Sequence, residues 1–175
     1  MNPMQGFSVW ITGLPASGKS SITRELAKKL ATQGVPVVVL ESDKMRKILT
    51  PEPTYSEKER EQFYTALVLI GEMITRSGMN VIFDATASQR AYRDHARSLI
   101  RKFVEVYVDC PLEVCMKRDP KGIYQRAASG QAATVPGIQA PYEPPLQPEV
   151  TVNCQDPPEV GADAIVVKLS SLSHI

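Results

Sequence analysis

The sequence predicts an α/β fold, a parallel β-sheet with helices on both faces. Three observations carry this. Short apolar runs rich in valine and isoleucine alternate with longer segments whose apolar residues recur every three or four positions. A glycine-rich turn closes the first apolar run and opens the first helical segment. The length of 175 residues, 43% of them hydrophobic, suits one domain with a real core.

The elements follow in order. Phe7-Ser8-Val9-Trp10-Ile11-Thr12 reads as a buried parallel strand ending at Gly13. A helix is expected from Lys19 to about Thr32, because Ile22, Leu26 and Leu30 fall on one face and Gly34 offers a stop. Val35 to Leu40 is a second strand, with Pro36 at its start, where a missing donor is tolerated. Pro51 and Pro53 mark a loop. Ser56 then caps a long helix, with Glu59 three residues on, Phe63, Leu67, Ile70 and Ile74 as its apolar stripe, and Gly78 at its end. Val81-Ile82-Phe83 is a third strand with Asp84 at its exit. Arg90 to Lys102 reads as helix and Phe103 to Val108 as a fourth strand, and Pro111 suits the first turn of another helix.

The character changes after that. Seven of the 14 prolines fall between Pro136 and Pro158, which excludes regular helix and central strand there. Tyr142, Ile138 and Leu146 in this stretch argue for an ordered irregular loop packed on the domain, a lid spanning about 118–158. Regular structure resumes at Ala164-Ile165-Val166-Val167.

Lys plus Arg number 20 and Asp plus Glu 19, a net charge of +1. That balance carries no footprint for nucleic acid, so the basic groups act locally on a small anionic ligand. Cys110, Cys115 and Cys154 form no C-x-x-C pair, and with only His95 and His174 beside them no metal spacing emerges. They are expected as free thiols in a reducing, cytoplasmic setting. Met1 to Phe7 lacks the pattern of a secretory signal. The oily stretch Phe63 to Ile74 is too short to span a bilayer.

Gly13-Leu14-Pro15-Ala16-Ser17-Gly18-Lys19-Ser20 fits G-x-x-x-x-G-K-[ST] at every fixed position, between a predicted strand and a predicted helix. This is the phosphate-binding P-loop, and it makes the fold a three-layer P-loop NTPase type. Its glycines let several N–H groups aim at one anion, and the helix adds its positive end. Lys19 reaches the β- and γ-phosphates, and Ser20 is the candidate Mg²⁺ ligand. These eight residues and Ser21 form the candidate ATP site. The chain is small for a motor and has no N-K-x-D stretch for guanine, so a small-molecule kinase leads.

Asp43 follows the second strand and Asp84 the third. Strand exits in a parallel sheet lie on the edge that carries the P-loop. Asp43 is therefore the candidate base for an attacking hydroxyl, and both carboxylates are further candidates for the metal. As alternatives, Asp43 caps the helix beginning at Lys44, and Asp84 belongs to a turn.

The second half carries a more specific pattern. Val108-Asp109-Cys110-Pro111-Leu112-Glu113-Val114-Cys115, then Arg118-Asp119-Pro120-Lys121-Gly122-Ile123-Tyr124, then Pro136-Gly137-Ile138-Gln139-Ala140-Pro141-Tyr142-Glu143-Pro144-Pro145 closely resembles the adenylylsulfate (APS) kinases. The similarity runs from the P-loop to an expected C-terminal strand. That family uses Mg-ATP to phosphorylate the 3′-hydroxyl of adenosine 5′-phosphosulfate, giving PAPS and ADP.

The resemblance implies roles for single residues. Asp43 matches the base and Arg46 the arginine of the same acceptor segment. Tyr55 matches an aromatic that stacks on the substrate adenine, and Arg60 an arginine that meets the substrate anion. Lys121 and the loop through Ile138 and Tyr142 belong to substrate binding and lid, and Arg118 to the nucleotide side of that lid. The family is often dimeric, so a homodimer is implied. The chain also departs from the pattern. Phe63 stands in place of a substrate-binding Asn, Val135 in place of a second stacking Phe, and Ala87 in place of a Ser, while Glu41-Ser42 replaces Asp-Gly. These changes cluster on the acceptor side. They leave open a kinase for another anionic nucleotide-like acceptor, such as a cytidine diphosphate derivative, and a non-catalytic nucleotide-binding module.

Overall fold

The computed structural model describes residues 5–132 and 134–175, so Met1 to Met4 of the N-terminal reading lie outside it. The elements are β1 (Ser8–Thr12), α1 (Lys19–Thr32), β2 (Val37–Glu41), α2 (Ser42–Leu49), α3 (Glu57–Arg76), β3 (Asn80–Asp84), α4 (Arg90–Leu99), β4 (Phe103–Asp109), α5 (Leu112–Arg118), α6 (Ile123–Ala128), β5 (Val150–Asn153) and α7 (Pro158–Ser171). The five strands form one parallel sheet in the order β2-β3-β1-β4-β5.

Alternation along the strands divides the core. Val9 and Ile11 face one way, with Val104, Val106 and Val152, and pack against Ile22, Leu26 and Leu30 of α1 and Ile165 and Leu169 of α7. Trp10 points the other way, with Val81 and Phe83, into α3 and α4 through Phe63, Leu67, Tyr92 and Ala96. Trp10 and Phe83 stack at 4.5 Å. Two apolar layers thus clamp the sheet, and every strand exit is brought to one edge.

The structure corrects the sequence reading at several places. The helix from Arg90 stops at Leu99 rather than Lys102, and α2 begins at Ser42 with Glu41 as its N-cap, so Asp43 lies in its first turn and is not its cap. Residues 164–167 lie within α7, so no C-terminal strand exists among the described residues. Buried Ile165 and Leu169 carry a helical spacing, which four apolar residues in a row had masked as strand. β5 lies inside the proline-rich stretch, as an edge strand paired only with β4, and it shortens the expected lid to about 118–149, within which α6 is regular helix. Pro111 is the N-cap of α5, one position before its first turn. Cys110 and Cys154 are joined by a disulfide and only Cys115 remains a free, buried thiol. The reason is register. Asp109 pairs with Asn153 across β4 and β5, so the next residue of each strand leaves the sheet side by side, with Cα atoms 5.1 Å apart. A separation of 44 residues hides that proximity in the sequence.

Candidate active site

The turn after β1 is built to hold an anion. Ala16 and Gly18 take left-handed backbone angles, φ 61° and 107°. Successive changes of hand turn amide groups toward one point. A side chain at Gly18 would find room, its nearest neighbour being Arg118 Nη1 at 3.9 Å, so the dihedral is what calls for glycine. Gly18 is the N-cap of α1 and no side chain caps it. The first-turn amides and the helix's positive end are left for a ligand.

Lys19 is buried and folds back over the turn, donating to Gly13 O at 3.0 Å and Leu14 O at 2.8 Å. Burial lowers its pKa to about 8, although Asp84 and Asp43 pull the other way. The ammonium is therefore short of negative charge, which a phosphate group would supply.

Asp84 ends β3, the neighbour of β1, and pairs in register with Ile11. It is buried, and desolvation raises its pKa against the opposing pull of the Ser20 hydroxyl and Lys19. Asp43 lies in the first turn of α2, and Lys121 donates to its Oδ2. That bond, ahead of burial and the Asp43 charge, sets the direction of the Lys121 pKa, which is raised. Lys121 sits on a turn shaped by Asp119, whose carboxylate accepts the amides of Ile123 at 2.7 Å and Gln125 at 3.0 Å. Two ammonium groups, two carboxylates and a hydroxyl thus meet where the γ-phosphate of a P-loop nucleotide would lie. The Ser20 hydroxyl and Asp84 carboxylate are hard oxygen donors side by side, a set that fits Mg²⁺. Among the described residues no group of three or more His, Cys, Asp or Glu could hold a metal alone, so phosphate and water oxygens would complete the shell.

Arg46, Tyr55 and Arg60 gather in a second cluster. Ser56 caps α3 by accepting the Glu59 amide at 3.3 Å. The Glu59 carboxylate reaches past the cap, accepting from Thr54 N at 2.6 Å, Thr54 Oγ1 at 2.7 Å and Tyr55 N at 3.2 Å. Burial works against its charge, but these bonds and Arg46 prevail and its pKa is lowered. This bracket holds Tyr55 at φ 54° with its ring half exposed between two guanidinium groups, Arg46 at 5.3 Å and Arg60 at 5.6 Å. Arg60 then ties α3 to the proline-rich segment, donating to Thr134 O at 2.6 Å and Thr134 Oγ1 at 3.1 Å.

Three of the departures from the family pattern have distinct places. Phe63 is buried directly under Arg46, with the guanidinium carbon 3.9 Å from the ring centre. Val135 turns into the main core, and its carbonyl accepts the amides of Ile138, Gln139 and Ala140. Ala87 is buried at φ 41°, and its backbone does the bonding. Its amide donates to Tyr64 Oη at 3.0 Å and its carbonyl accepts from Arg93.

Ile138 is not brought to the Arg46 cluster. It lines a separate groove of about 560 Å³ beside Leu14, Leu112, Tyr107 and Tyr142. Arg118 sits behind the P-loop, donating to Ser17 O at 3.4 Å and Cys154 O at 2.8 Å.

Several residues were not singled out by their spacing. Thr12 Oγ1 gives its one proton to Thr86 O at 2.6 Å, so the hydroxyl of Tyr142, 3.0 Å away, must be the donor to Thr12. One chain of hydroxyls thus joins the proline-rich segment, the P-loop entry and the exit of β3. Glu143 follows, its carbonyl accepting from Arg93 at 2.6 Å and its carboxylate from the Arg90 amide at 2.7 Å. Arg93 is fully buried and paired with Glu105 at 2.7 Å. The only signal for it was an arginine on the inward face of a helix.

The chain is similar to known proteins along nearly all of its length. A family model described as adenylylsulphate kinase matches residues 5–153. An adenylyl-sulfate kinase of Synechococcus sp. (strain JA-2-3B'a(2-13)) is 39% identical over 173 residues, covering 98% of each chain. A probable adenylyl-sulfate kinase of Archaeoglobus fulgidus is 42% identical over 147 residues, 84% of this chain and 95% of its own. The APS kinase of Mycobacterium tuberculosis, solved in complex with AMPPNP and APS, superposes with a TM-score of 0.90 at 30% identity, covering 96% of this chain and 99% of that one.

Proposed function

The chain belongs to the adenylylsulfate kinase family, and from that footing we propose that it transfers the γ-phosphoryl group of ATP to the 3′-hydroxyl of adenosine 5′-phosphosulfate, giving PAPS and ADP. The observation that carries the reading is the meeting of Lys19, Asp43 and Lys121 beside the Tyr55–Arg46–Arg60 cluster. The first group handles a phosphoryl transfer, and the second offers a flat ring and cations to an anionic nucleotide.

Residues 13–21 and Arg118 hold ATP in this proposal. Lys19 leaves the carbonyls of Gly13 and Leu14 for the phosphates. Arg46, Tyr55 and Arg60 hold the acceptor. Ile138 acts more remotely, through the wall it shares with Leu14. Lys121 leaves Asp43 for the phosphoryl oxygens, which frees the carboxylate to take the hydroxyl proton. A P–O bond forms at the acceptor oxygen as the bond from γ-phosphorus to the bridging oxygen breaks, and ADP departs with that electron pair. Mg²⁺, held by Ser20 with Asp84 behind it, would neutralise phosphate charge when bound. The 118–149 segment closes over the site and excludes water, which limits wasted hydrolysis. We read the chain as one kinase domain working in the cytoplasm, where ATP is made. No helix among the described residues is long and apolar enough to cross a membrane. A homodimer belongs to the same proposal, with Leu69 and Met73, exposed one turn apart on α3, as apolar surface for it.

The test is ADP release from Mg-ATP with APS, with cytidine diphosphate derivatives and with no acceptor, the product identified by mass. APS-dependent ADP with PAPS formed is expected. Asp43→Asn should then bind ATP normally and lose about 10²–10⁴ in turnover. Turnover only with a cytidine derivative would overturn the acceptor assignment. Unchanged turnover in the Asp43 variant would remove that residue as the base.

A further inference from the structure

Arg46 is enclosed by aromatic rings, and its ion pair with Glu59 leaves Nη1 without a hydrogen bond. Its guanidinium carbon lies 3.9 Å from the Phe63 ring centre, 5.3 Å from that of Tyr55 and 5.7 Å from that of Tyr64. The nearest carboxylate oxygen, Glu59 Oε1, is 3.7 Å from Nη1, beyond hydrogen-bond reach. The Glu59 oxygens already serve Thr54 and Tyr55. Nη1 is buried and, among the described residues, has no hydrogen-bond partner. A buried charged donor left open in this way is unfavourable until an acceptor arrives.

The platform beneath it is stiff. Phe63 is 1% exposed and meets Tyr64 edge-on at 5.2 Å. Tyr64 stacks on Tyr92 at 4.5 Å and accepts the Ala87 amide. Arg46 stands one helical turn after Asp43 on α2, so both residues lie on the same side of that helix. A guanidinium on an aromatic face keeps its N–H edges free, sheds water from one side and loses little freedom when it binds an oxyanion.

We infer that Phe63 is a positioning residue for the anionic end of the acceptor, acting through Arg46. Where the family pattern has an Asn, this chain replaces a hydrogen-bonding side chain with a ring that presents Arg46 Nη1. The inference rests on the proposed function for the identity of the acceptor. The oxyanion site itself does not depend on it.

The experiment uses full-length protein with ¹⁵N-labelled arginine, inorganic sulfate as the anion probe, and the variants Phe63→Leu, Arg46→Ala and their double. In the wild type the Arg46 side-chain signal should be ring-shifted and should respond saturably to sulfate. Phe63→Leu should weaken sulfate at Arg46 and raise the APS KM, each about tenfold, with the ATP KM within twofold. In the Arg46→Ala background, Phe63→Leu should change the APS KM by less than about twofold. An unshifted Arg46 signal, or none that responds to sulfate, overturns the inference even if Phe63→Leu fails to fold. So does an Arg46→Ala background in which Phe63→Leu keeps its full effect. Sulfate binding at Arg46 without APS turnover would fault the acceptor assignment alone.

Discussion

Binding of Mg-ATP should draw a proton from solution, and the amount follows from Lys19. Burial holds this ammonium at a pKa of about 8 in the free protein. Phosphate oxygens beside it favour the charged form and return it toward an ordinary lysine value. The γ-phosphate is already ionised at and above pH 8, so it adds nothing. Cys115, close by, is held above its usual 9 by burial and stays protonated near pH 8. A group with a pKa of about 8 is half deprotonated at pH 8, so uptake should be roughly half a proton there, about 0.1 at pH 7 and about 0.9 at pH 9. Calorimetric titration of Mg-ATP in buffers of different ionisation enthalpy reads this directly. Lys19→Arg, always charged, should make the heat independent of buffer. A buffer-independent heat in the wild type near pH 9, or equal uptake in Lys19→Arg, would refute the reasoning. The same lowered value has a sign for folding. Between about pH 8 and 10.5 the unfolded chain holds more protons at this residue than the folded one, so the Lys19 contribution to stability rises through that window.

Two further outcomes follow from packing and hydrogen bonding. Gly71 lies inside α3, where alanine normally gains about 1 kcal/mol, but a Cβ there would run into the Phe83 ring, itself buried and stacked on Trp10. Overpacking at the upper end of about 1–3 kcal/mol should win, so Gly71→Ala should lose about 2 kcal/mol, seen as a lower urea midpoint at constant slope. An equal or higher midpoint would show that Phe83 has room to move. Tyr142→Phe removes the donor to Thr12 and leaves the Thr12–Thr86 bond intact. It should cost about 1 kcal/mol of transition-state positioning, a roughly fivefold loss of kcat with ATP affinity unchanged, and wild-type turnover would release Tyr142 from that role.

The sequence was most legible where local rules act alone. The helix expected from Lys19 to Thr32 occurs over those residues, because Gly18 and the Ile22, Leu26, Leu30 spacing both bear on it. The Ser56 cap is likewise present. Legibility failed where chain-distant partners decide. β5 is a strand because β4 offers an edge, although prolines surround it. The Cys110–Cys154 bond is set by the register of those two strands. In the site, the P-loop and Asp43 could be read from residue type and position. That Phe63 lies under a cation, and that Val135 turns inward, depends on how α2, α3 and the proline-rich segment meet. Residue type alone suggested only that a contact had been lost.

The strand exits that carry Cys110 and Cys154 also begin and end the segment over the active site. Everything between them, including α5, Lys121, α6, Val135, Tyr142 and β5, lies within one covalently closed ring. The two roots of that ring cannot separate. A single protease cut at the exposed turn near Gly130 and Gln131 would therefore give two fragments that travel as one species until a reductant is added. A gel run without reductant would show an unbroken chain, even though the roof of the site had been severed.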